Sequence, residues 1–101
     1  MNSSMPTKAI DPQFENPVST TERLARYETA QEIIGMMIAL QAEQLADEEG
    51  KTHPDPARIL ALQAEQARLT AERHALRFED TASIRQAIED YAPIVKAAFG
   101  A

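Results

Sequence analysis

The stretch Asp47-Glu48-Glu49-Gly50-Lys51-Thr52-His53-Pro54-Asp55 sets one imidazole among four carboxylates. Those are the donors of a hard-cation or mixed imidazole–carboxylate site. The spacing matches no metal-binding motif, and zinc sites need three or four fixed ligands. The stretch therefore reads as a solvated turn, with Asp47, Glu48, Glu49 and Asp55 as a candidate acidic contact surface. The acidic triplet falls at the end of a helical pattern, where negative charge opposes the helix dipole. Lys51 and Arg58 stand close enough in sequence to offset it.

The other reactive types are isolated. His74 lies between Arg73 and Arg77, with no serine or cysteine arrangement that would make it a general base for a nucleophile. Glu89 and Asp90 are neighbours in sequence, so on a helix they point apart and cannot share acid–base work. Glycine occurs only at positions 35, 50 and 100, which leaves no phosphate-cradling loop. Cysteine is absent, excluding disulfides, thiolate–zinc and iron–sulfur sites, and cysteine nucleophiles. The sequence points to no catalytic residue, no metal and no cofactor, and so to a non-enzymatic chain.

Charge bears on the class of partner. Ten Lys and Arg against sixteen Asp and Glu give a formal charge of -6. A protein that coats phosphates usually needs a basic face. Arg68, Arg73, Arg77 and Arg85 gather around one helix and the turn after it, but Arg68 points nearly opposite Arg73, so they form no stripe. The segment Asp80-Thr81-Ala82-Ser83 also lacks the glycine turn and basic recognition face of a helix-turn-helix.

The elements that must position these residues come from capping and periodicity. Apolar residues make up 44% of 101 residues, enough for the core of a single small domain. Residues 1–19 carry Pro6, Pro12 and Pro17 and read as an irregular arm, although Ile10, Phe14 and Val18 are apolar for a solvated tail. Ser19 with Glu22 makes a capping box, predicting a helix to about Glu49 with Gly50 as a left-handed stop. Asp55-Pro56 is a cap followed by proline at the first helical position, predicting a second helix to about Phe78. Asp80 or Thr81 caps a third over about 82–99. It places Ile84, Ala87, Ile88, Tyr91, Val95 and Phe99 on one face and is kinked at Pro93. No segment reads as a strand. The repeated Ala39–Gln44 and Ala61–Gln66 hexapeptides reflect shared helix-forming composition rather than a repeat unit.

The expected fold is all-α: an antiparallel helical hairpin plus a shorter third helix. Leu24, Tyr27, Gln31, Ile34, Ile38, Gln41 and Leu45 form a seam of coiled-coil type against Ile59, Leu62, Gln66, Leu69, Arg73 and Leu76. That register puts Ile34 near Leu69 and Tyr27 near Leu76, and gives Arg73 partners among Gln31, Glu28 and Glu32. Ile33, Met36, Met37 and Leu40 lie off the seam, and Gly35 heads a small-residue strip with Ala39, Ala42 and Ala46. Ile33, Gly35, Met36, Met37 and Leu40 are therefore expected to form a homodimer interface, with another helix crossing close to Gly35.

The N-terminal residues lack the apolar core of a secretory signal. The longest apolar run, Ile33 to Leu40, is far short of the roughly 20 residues of a membrane span. A cytoplasmic, membrane-free protein is expected, acting as a protein-interaction or scaffold module on a protein partner. One alternative is an acidic inhibitor or nucleic-acid mimic that binds a basic partner. Another, weakened by the charge, is a small dimeric DNA-binding regulator.

Overall fold

The computed structural model describes residues 19–100; the expected arm, apart from Ser19, lies outside them. The described chain is all-α, with helices α1 (Thr20–Glu49), α2 (Pro56–Ala75) and α3 (Thr81–Phe99). Among the described residues no helix is long and apolar enough to cross a membrane.

Each start is built by a side chain that satisfies free backbone N–H groups, as a helix N-terminus requires. Ser19 Oγ accepts from Glu22 N at 3.1 Å, and Glu22 Oε1 accepts from Ser19 N at 3.1 Å, closing the capping box. Asp55 Oδ1 accepts from Ala57 N at 3.0 Å at the head of α2. Of the two candidates for α3, the cap is Asp80, which accepts from Ser83 N at 3.0 Å and from Ser83 Oγ at 2.7 Å.

The ends differ from expectation. Gly50 closes α1 with φ -82° and ψ -5°, a right-handed conformation, so its value there is not left-handed freedom. The left-handed stop is Gly100, φ 67°, after α3. Helix α2 ends at Ala75 rather than Phe78, because Leu76 turns extended with φ -67° and ψ 127°. Leu76 and Phe78 are two positions apart, and a helix would send them to opposite sides. Leaving the helix at Leu76 keeps its side chain buried and returns Phe78 to the edge of Tyr27, ring centroids 6.1 Å apart. Helix α3 runs unbroken through Pro93, so the proline does not split it.

Helix α1 packs against both α2 and α3, which explains an apolar pattern extending nearly all round its middle. The core joins Ala30, Ile34 and Met37 of α1 to Leu69 and Leu76, and to Ile84, Ala87 and Val95 of α3. Ile34 and Leu69 are wholly buried, while Tyr27, Ile33, Ile38, Ile88 and Tyr91 pack around them. Phe99, the last residue of α3, is 51% exposed and takes no part in the core.

Three polar links fix the arrangement. Gln31 Nε2 donates to Arg73 O at 3.0 Å, and Arg73 Nε donates back to Gln31 O at 3.0 Å. Arg73 is exposed and needs no counter-charge, so its partner is the Gln31 backbone and neither Glu28 nor Glu32. At the other end, Glu48 Oε2 accepts from Asp55 N at 2.9 Å. Between α2 and α3, Tyr91 Oη donates to Glu72 Oε1 at 2.7 Å. Arg68, held by Glu65 at 2.6 Å, reaches the same two groups.

Candidate functional site

The acidic turn resolves into structural parts. Glu48 is buried and accepts from Asp55 N and from Lys51 Nζ, the latter at 2.9 Å. Those two bonds, the Asp55 amide first, hold its carboxyl below the ordinary carboxylate range, against the opposing effect of burial. Asp55 is spent on capping α2. Of the four acids expected to form a contact surface, only Asp47 and Glu49 remain exposed and without a hydrogen bond or ion pair among the described residues. His53 and His74 are exposed, and no group of three His, Asp or Glu among the described residues could hold a metal.

The expected interface residues are also divided. Met37 lies in the core and Ile33 packs against it. A Cβ built on Gly35 would meet the guanidinium of Arg73 at 3.6 Å, an ordinary contact with a flexible side chain. Within the chain, then, the nearest neighbour of Gly35 is an arginine tip rather than the backbone of another helix. Met36, 37% exposed, and the half-buried Leu40 are left facing outward.

Of the arginines weighed around α2, Arg68 is clamped by Glu65 and Glu72, Arg73 is bonded to Gln31, and Arg77 lies 3.7 Å from Glu79. The hydrogen bonds that Arg68 donates to Glu65, and then to Tyr91, raise the pKa of its guanidinium. Arg68 in turn lowers Glu65. Loss of water, followed by the bond to Glu72, raises the Tyr91 phenol. Only Arg85 is left without such a partner among the described residues, and it faces a different neighbourhood.

That neighbourhood is a groove of about 330 Å³ between the start of α1, the α2–α3 corner and the start of α3. Its walls carry Arg23 and Arg26 from α1, and Thr81, Arg85 and Glu89 from α3. Phe78, Ile84 and Ile88 supply its apolar lining. Capping positions each wall: the Ser19 box fixes the turn that carries Arg23, and Asp80 fixes the turn that carries Ile84 and Arg85. The Arg23 guanidinium stands over the Phe78 ring, 5.1 Å from its centroid, where the ring face attracts a cation. Arg26 and Arg85 are exposed and make no hydrogen bond or ion pair among the described residues.

Three guanidiniums against the single carboxylate of Glu89 give this groove a local positive sign in a chain of net charge -6. The arrangement can bind an anion next to an apolar group. It holds no general base paired with a nucleophile. Sequence reasoning missed it because its parts are far apart in the chain. The available signals were Arg23 and Arg26 three positions apart on one helix face and the apolar pair Ile84 and Ile88 flanking Arg85.

No known family, curated protein or solved structure matches the chain.

Proposed function

We propose that this chain is a non-enzymatic protein-interaction module that receives a partner in the groove between the start of α1 and the start of α3. One observation carries the reading: cations without ion-pair partners among the described residues share a single concave surface with apolar side chains. Ligand sites are typically concave and mainly apolar, with a few fixed polar groups. The scaffold that presents the groove is an antiparallel hairpin of α1 and α2. It is supported by the bonds from Gln31 to Arg73 and from Asp55 to Glu48, with α3 laid beside it.

The test is a comparative pull-down. Wild type and the double variant Arg26→Glu/Arg85→Glu are each used as bait, alongside a remote control, Asp47→Lys/Glu49→Lys. A partner retained by wild type and the control but lost with the groove variant supports the module. A partner lost only with the remote control places docking at the acidic turn and contradicts it.

Met36 and Leu40 favour a second, compatible reading in which two copies associate through α1. Met36 is 37% exposed although it stands in the most apolar stretch of the chain. A large apolar side chain left outward beside a half-buried leucine suits an isologous contact between identical helices.

A further inference from the structure

We propose that the groove's ligand is an acidic peptide segment of a partner protein, anchored by one large apolar side chain. The proposal rests on reading the groove as the docking site and adds the chemistry of what fills it. Charge complementarity selects the sign. Arg23, Arg26 and Arg85 outnumber Glu89, and guanidinium groups pair with carboxylates through parallel N–H donors. In a chain of net charge -6, an acidic segment is favoured where cations gather beside apolar surface, as they do in this groove. Steering by such fields weakens as salt rises.

The lining selects the anchor. Phe78 and Ile88 offer apolar surface in the same groove, which the buried Ile84 also lines, and Arg23 over Phe78 forms a cation–aromatic pair. Shape favours a peptide over a free small molecule. Small-molecule sites bury roughly 70–90% of their ligand in about 300–1,000 Å³. This groove, at about 330 Å³, is at the low end of that range and is neither enclosed nor flat. It suits a side chain projected from a larger body, with the flanking acids reaching the rim arginines.

The experiment is fluorescence polarisation of the full chain with a labelled peptide carrying one phenylalanine set among glutamates. Binding is expected to weaken about fivefold for Arg26→Ala or Arg85→Ala. It should weaken about a hundredfold for Arg26→Glu/Arg85→Glu, and about tenfold when the probe's phenylalanine becomes alanine. High salt should weaken it as well. Both arginines are exposed, and unchanged far-ultraviolet circular dichroism would show the variants folded. A lysine-substituted probe that binds equally well would overturn the proposal, as would a double variant that binds like wild type. It would also be overturned if wild type ignored the probe and only a Phe14→Ala/Glu15→Ala variant bound it, because the groove would then be reserved for the chain's own acidic-aromatic stretch. If the pull-down partner still depends on the groove while the acidic probe is ignored, the ligand class fails and the module stands. If neither depends on the groove, both fail.

Discussion

At Gly35 the sequence shows the cost of a residue but not the cause of its being kept. Glycine inside a helix is unfavourable by roughly 1 kcal/mol relative to alanine, which suggests a packing reason for keeping it. The structure gives only the flexible tip of Arg73 at 3.6 Å from the missing Cβ. Gly35→Ala should therefore stabilise the chain by about 0.4–1 kcal/mol, seen as a higher urea midpoint with unchanged slope. A lower midpoint would point to a tight crossing by another helix. Glu48 makes the complementary point. Three adjacent acids in sequence look alike, and only tertiary structure singles out the one that turns inward to Asp55 N and Lys51. Its folded-state pKa is lowered, as are those of Glu65 and Asp80. The native state then binds fewer protons than the unfolded chain, so this stability is complete above the ordinary carboxylate value and is lost as pH falls through the folded one. Urea midpoints taken between about pH 7 and pH 3 should fall at the acid end. Glu48→Gln should show a lower neutral midpoint and a flatter acid limb; a limb as steep as wild type would remove Glu48 from the account.

Helices were the most legible scale, because caps and breakers act locally. Ser19 with Glu22, and Asp55 with Pro56, announce their helices through bonds within three residues. What the sequence could not settle is where α2 stops. Helix propensity continues past Ala75, but burying Leu76 and placing Phe78 against Tyr27 both require an extended turn there. The gain is tertiary, so no local pattern records it. The same corner builds one side of the groove. The first turn of α1 builds the other, and it depends on a cap worth about 1 kcal/mol. Ser19→Ala should thus increase amide exchange around Arg23 about fivefold while leaving the Ile34 region protected. Equal acceleration at Ile34 would mean that the cap supports the whole molecule rather than its groove end.

At the scale of the whole molecule, the apolar surplus of α1 was visible in the sequence, but its division was not. Met37 and Ile33 are used inside the chain by α2 and α3, while Met36 and Leu40 face outward. Sedimentation equilibrium at tens of micromolar should give twice the chain mass of 11.2 kDa, and Met36→Glu/Leu40→Glu should return it to the monomer. A wild-type monomer at that concentration would remove the second copy. The groove was the least legible feature, since Arg23, Phe78 and Arg85 meet only once α3 returns to the start of α1. It is also the centre of the functional account. Titrating the isotopically labelled full chain with the phenylalanine–glutamate peptide, and following amide chemical shifts, reads that centre most directly. The account predicts saturable shifts concentrated at residues 23–26, 78 and 81–89. Shifts centred on Met36 and Leu40 or on Asp47 and Glu49, with the groove amides unmoved, would contradict it.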